Sequence, residues 1–161
     1  MNKVSVVDRL IKGLDTDVKN KEQRRKDLLN RLKEIYREIM LHSKLLTAEA
    51  ESLPYDHLRK EALKIANEKT ETAKMIEKLL LDSGGSVNKE QFGNYDPDPT
   101  GDFTEILKLE NSIKEKVLDQ SLWAEDYGFF SEAKLLRDLK DKHYNHQERL
   151  ERIIMKLNAN K

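Results

Sequence analysis

Cysteine is missing altogether, which excludes disulfides, thiolate metal sites and cysteine nucleophiles at once. An excess of one charge is missing too. The 30 basic and 30 acidic residues cancel, so the chain as a whole has no electrostatic reason to seek nucleic acid, an anionic membrane or an acidic substrate. No long apolar run occurs: the start, Met1-Asn2-Lys3-Val4-Ser5, lacks what a signal peptide or membrane span needs, and no later segment supplies it. The expected compartment is the cytoplasm. Only three prolines and six glycines punctuate 161 residues, a length suited to one domain with a single continuous core.

What is present is a balance of 37% hydrophobic and 37% charged residues, typical of amphipathic helices with solvated outer faces. From Leu28 the inner positions step by four and three through Leu32, Ile35, Ile39, His42, Leu46, Glu49 and Leu53, which is one helix face. Pro54 breaks this helix and suits the first turn of the next. A second stripe runs through Leu58, Ala62, Ile65, Lys69, Thr72, Ile76 and Leu79, and Gly84-Gly85 closes it. Asp102 and Glu105 read as a capping box opening a third helix, with Ile106, Glu110, Ile113, Val117, Gln120 and Ala124 inward and Gly128 at its end. Ser131 caps a fourth, striped by Leu136, Leu139, His143, His146, Leu150, Ile153 and Leu157.

Between Gly84 and Gly101 the sequence has two prolines and no period, and reads as a loop. About 18 residues reach up to roughly 60 Å, against helices of about 40 Å, so the loop is long enough to cross the whole bundle. Helices two and three are then parallel. Ahead of them Val4, Val7, Leu10, Ile11 and Leu14 form another stripe. The division expected is an N-terminal helical extension at 1–20, as a short separate helix, and a four-helix bundle at 21–161, with one very long first helix as the alternative. The extension's stripe has no place in a four-helix core and is expected to pack outside the bundle or across a two-fold homodimer.

Polar residues on inner stripes are informative because burying one unpaired costs roughly 1 to 3 kcal/mol. Counting along the helices from their turns places Tyr36, Lys69, Thr72, Glu110, His143 and His146 near the bundle's midpoint. His143 and His146, three apart, present two imidazoles on one face, a spacing that chelates a metal together with Glu110 or that forms two hydrogen-bonded core histidines. Lys69 either runs out to solvent along its helix or pairs with Glu110 across the core. His42 and Glu49 join this group only if the helices are offset, and otherwise make a satisfied polar layer.

At this point the sequence resembles the ferritin-like superfamily, the bacterioferritin and rubrerythrin branch in particular, over roughly residues 28–157. The resemblance rests on two short helical hairpins joined by one long crossover. It rests also on Ile65-Ala66-Asn67-Glu68-Lys69-Thr70-Glu71-Thr72-Ala73, which looks like an alanine-flanked Glu-x-x-His helix, and on Ala124-Glu125-Asp126-Tyr127-Gly128 followed by Ala133, Leu136, Leu139, His146 and Leu150. The family binds two iron or manganese ions with a Glu from each of two helices and a Glu-x-x-His pair from each of the others. By that resemblance Glu110 stands at the third-helix Glu and His146 at the fourth-helix His. His143 replaces a Glu, Lys69 and Thr72 replace the second helix's Glu and His, and Tyr36 falls near the first-helix Glu. Two divalent ions need several carboxylates, and Lys69 brings positive charge instead.

Asp96, Asp98 and Asp102 suggest calcium, but an EF-hand loop starting at Asp96 needs a glutamate where Leu107 stands. The run Lys19, Lys21, Arg24, Arg25 and Lys26, interspersed with Glu22 and Asp27, reads as a solvated face, and Trp123, Tyr127, Phe129 and Phe130 as hairpin packing. The expectation is an all-α, ferritin-like four-helix bundle with a degenerate di-metal site, and a non-catalytic interaction or accessory protein without a cofactor. The alternative is a metal-binding protein of the same fold holding one divalent ion (iron, manganese or zinc), with oxidoreductase or storage activity. A homodimer and an unidentified protein partner are the expected associations.

Overall fold

A computed structural model describes residues 6–159, apart from the side chains of Asp8, Lys12, Asp15, Thr16, Glu90 and Gln91; Val4, the first member of the N-terminal stripe, lies outside the described residues. The chain orders itself as α1 (Val6–Glu51), α2 (Asp56–Asp82), a one-turn α3 (Glu90–Gly93), α4 (Phe103–Asp126) and α5 (Phe130–Ala159). Among the described residues there is no strand.

Both hairpin helices end as their glycines require. Gly84 and Gly128 adopt positive φ, 89° and 81°. In each case the next amide reaches back five residues, Gly85 N–H to Leu80 O at 2.7 Å and Phe129 N–H to Ala124 O at 2.8 Å, satisfying carbonyls that the helix leaves open. Asp102 caps α4 as expected, although its carboxylate takes the amide of Thr104 at 3.0 Å, not that of Glu105. Ser131 is not a cap, since α5 begins one residue earlier.

Two apolar clusters fix the topology. Leu28, Leu32, Ile76, Leu80, Val117, Ala124, Ala133 and Leu136 fill one end, and Leu46, Leu53, Leu58, Ile65, Phe103, Ile106, Leu150 and Ile153 fill the other. The N-termini of α2 and α4 therefore share an end, and these helices run parallel as the length arithmetic requires. The crossover departs under Arg25, which donates to Ser83 O at 3.3 Å. Midway Phe92 meets the Tyr36 ring edge-on at 5.9 Å. At its arrival the Glu49 carboxylate accepts the Thr100 hydroxyl at 2.7 Å, the Thr100 amide, and the Gly101 amide at 3.3 Å. Residues 25, 36 and 49 of α1 thus mark the descent of the crossover along that helix.

The expected separate N-terminal helix is not found. α1 runs unbroken for 46 residues, about 70 Å at 1.5 Å per residue. Gly13 and the polar stretch 15–17 do not interrupt it, because one exposed glycine costs a helix only about 1 kcal/mol. The first residues of α1 to touch the bundle are Arg24, over the Tyr127 ring at 4.8 Å, and Arg25. The described residues before them, from Val6 on, project as an arm on which Val6, Val7, Leu10, Ile11, Leu14 and Val18 are all more than half exposed.

Candidate functional site

Each of the four long helices sends one polar side chain into the centre of the bundle, between the two apolar clusters: His42, Lys69, Glu110 and His143, with His146 one turn beyond. All five are essentially fully buried. Glu110 is the hub. Its Oε2 receives the Lys69 ammonium, its Oε1 accepts from His143 Nδ1 at 2.9 Å, His42 Nδ1 lies 3.2 Å from Oε2, and His146 Nδ1 lies 3.8 Å from Oε1. Lys69 pairs inward and does not run out to solvent.

The protonation pattern follows from these neighbours. Burial alone would raise the Glu110 pKa, but the Lys69 ammonium and the His143 and His42 rings outweigh it and hold the carboxyl well below the usual range. Burial lowers the Lys69 pKa, against the pull of Glu110. His42 is lowered by burial and then by Lys69, His143 by burial against its Glu110 bond, and His146 by burial to about 3. The layer therefore carries one anion, one cation and three neutral imidazoles. His42 stands between two groups that only accept, with Nε2 2.9 Å from the Ile106 carbonyl and Nδ1 3.2 Å from Glu110 Oε2, so the single proton of the neutral ring serves one of them and leaves the other nitrogen bare. By the same reasoning His143 donates from Nδ1, leaving its Nε2 bare. His42 Nδ1, His143 Nε2 and His146 Nδ1 are buried without a hydrogen-bond partner.

These shifts make stability depend on pH with a definite sign. In the unfolded chain an imidazole takes up its proton near pH 6.5, whereas the folded protein keeps His42, His143 and His146 neutral to lower pH. Between those limits the unfolded state binds more protons. The stability these three groups contribute is full above about pH 6.5 and falls below it; His146, whose folded value is about 3, contributes a loss of up to about 1.4 kcal/mol per pH unit down to that pH, and His42 and His143 add to it in the same direction. Urea denaturation at pH 7.5, 6 and 5 in chelator checks this, and His146→Asn is expected to flatten the dependence; a constant midpoint would contradict it.

Ligand atoms of Glu110, His143 and His146 all lie within 4.8 Å of one another, the one such convergent group among the described residues. The sequence-level grouping of Glu110, Lys69, His143 and His146 is thus what the fold assembles. Tyr36 is elsewhere: its ring packs on Phe92 beside the crossover, and His42, six residues on, is the α1 side chain that meets Glu110. His42 lies on the same inner stripe, so the signal was present, and only the helix offset hid it. Thr72 bonds back to its own helix, to Lys69 O at 2.7 Å, and lines an outer hollow of about 380 Å³ with His146, Glu68, Glu71 and Asp141. Glu49 serves the crossover, and Asp96 and Asp98 line a second hollow against α1 and α2. Trp123 stacks on Phe129 at 6.0 Å and carries the Arg31 guanidinium at 4.3 Å, as hairpin packing.

A resident pair of metal ions does not fit these residues, because Lys69 fills the space beside Glu110 with a fixed positive charge. The donors that remain suit a single ion at most.

No known family profile and no curated protein sequence matches this chain. Solved structures do. Crystal structures of two PmFTN variants soaked in iron superpose with TM-scores of 0.69 and 0.67, each at 13% identity and each covering 83% of this chain and 89% of the other. PmFTN is a ferritin, and at that identity the likeness is one of fold: two antiparallel helical hairpins joined by a full-length crossover, which is the ferritin-like bundle.

Proposed function

We propose that this ferritin-like bundle does not run di-iron chemistry and acts in the cytoplasm as a non-catalytic interaction or accessory protein, self-associating as a homodimer, with the extension at 1–20 as its contact segment. The observation that carries this reading is the fully buried Lys69, whose ammonium sits on Glu110 where a di-metal centre needs another carboxylate. Two divalent cations and an ammonium around one carboxylate leave a large uncompensated charge in a low-dielectric core. Among the described residues no helix is long and apolar enough to cross a membrane.

Protein purified without chelator or added metal is expected to carry well under two equivalents of iron or manganese by elemental analysis and to show no ferroxidase activity. Two tightly bound ions would overturn the proposal.

A second reading has its own observation: the partnerless nitrogens His143 Nε2 and His146 Nδ1 beside Glu110 are what a single divalent ion would use. The His143 Nδ1 bond to Glu110 would also fix that ring's orientation. Against it stands Lys69, which already claims the carboxylate. One equivalent of zinc taken up by the native protein, and lost in His146→Asn, would favour this single-ion reading.

A further inference from the structure

The arm of α1 is built to a pattern the bundle does not use. Val7, Ile11, Leu14 and Val18 step by four, three and four, and the same step continues without a break through Lys21, Arg25, Leu28, Leu32, Ile35, Ile39, His42 and Leu46. The arm's apolar seam is therefore the core seam of α1 carried past the end of the bundle. It continues the side of α1 that faces the other three helices, and none of the described residues covers it: Val7, Leu10, Ile11, Leu14 and Val18 are 51% to 64% exposed.

We propose that residues 7–18 of α1 pair with the same segment of a second copy as a short antiparallel coiled coil that holds two bundles end to end. This names the contact in the interaction reading above. The seam is self-complementary in one antiparallel register: Ile11 falls opposite Leu14 of the second copy and Val7 opposite Val18, so every inward position meets an apolar one. Leu10 then lies beside Asp17 of the other copy, so no like charges meet on that flank.

Shape favours antiparallel over parallel pairing. Because the arm's seam faces the bundle side, two parallel arms brought face to face would drive their bundles into the same space, whereas antiparallel arms put them at opposite ends. Five apolar side chains hiding on the order of 100 Å² each give about 1,000 Å² over two copies, the lower limit for a specific interface. From the centre of the register to Arg24 is about 12 residues, so the bundle ends stand roughly 35 Å apart.

Sedimentation and small-angle scattering of the full chain at about 100 µM test this, a concentration suited to an interface of that size. An elongated dimer is expected, and Leu14→Arg should weaken it about a hundredfold without moving the melting temperature, since the arm lies outside the bundle. The natural lack of cysteine allows a test of direction: Val7→Cys mixed with Val18→Cys should cross-link on oxidation, and Val7→Cys alone should not. A monomer, a dimer that survives Leu14→Arg, or cross-linking of Val7→Cys alone as fast as the mixture would each overturn the proposal. Two bound metal ions would instead sink the non-catalytic reading and leave this one standing.

Discussion

Lys69→Met alone is expected to destabilise the folded protein by about 3 to 5 kcal/mol, because it leaves the Glu110 carboxylate buried without its counter-charge. For a chain of this length that corresponds to a fall of roughly 10 °C in melting temperature. Lost packing is not the cause, since methionine keeps most of the lysine stem. The remedy therefore lies on the other partner. Lys69→Met combined with Glu110→Gln should recover most of the loss, because a neutral amide still receives the His143 Nδ1 bond while the unpaired charge is gone. The single variant should also change its pH response: without the ammonium, a neighbouring imidazole becomes easier to protonate, so its deficit relative to the native protein is smaller at pH 6 than at pH 8. Urea denaturation of the native, single and double variants at both pH values decides it. A single variant within 1 kcal/mol of native would mean that the buried pair is not what the geometry indicates.

The second large effect is a gain. Lys69→Glu with Thr72→His removes the fixed cation and supplies a carboxylate and an imidazole from α2, on the face that already looks toward Glu110 and His146. Metal uptake should rise from at most one equivalent toward two. The metal-free variant should be markedly less stable than native, because two buried carboxylates then oppose each other, and its melting temperature should climb when iron or manganese is added. Equilibrium dialysis with elemental analysis, alongside melts with and without metal, measures both. A variant whose metal content stays at the native level would show that something other than Lys69 excludes the ions.

The crossover and the parallel pair α2 and α4 were legible because they depend on lengths and on two glycines, quantities that a sequence states directly. Lys69, Glu110 and His143 were legible as a group because each interrupts an apolar stripe, and an interrupted stripe is visible without coordinates. His42 interrupts one as well, but matching it to Glu110 needs the axial offset between α1 and α4, which packing sets. Counting residues from a turn put Tyr36 in its place, about 9 Å away along the helix. Phe92, one aromatic in a polar loop, explains where Tyr36 went, and nothing periodic marks such an anchor. The continuity of α1 was hidden differently: Gly13 and the residues at 15–17 carry the marks of a helix end, yet in a helix this long the sum of the other residues outweighs them.

The central ion pair also bears on how the chain reaches this fold. The α1–α2 and α4–α5 hairpins each close over a turn of a few residues and can form locally, whereas joining them must wait for the long crossover. Lys69 belongs to the first hairpin and Glu110 to the second. Each half thus carries on its inner face a charge whose permanent counter-charge lies on the other half, and docking that is wrong by one helical turn separates the two in an apolar environment. Purely apolar faces would tolerate such a slip by repacking. A slipped register therefore costs more here than between purely apolar faces, and the pair favours one alignment of the two hairpins.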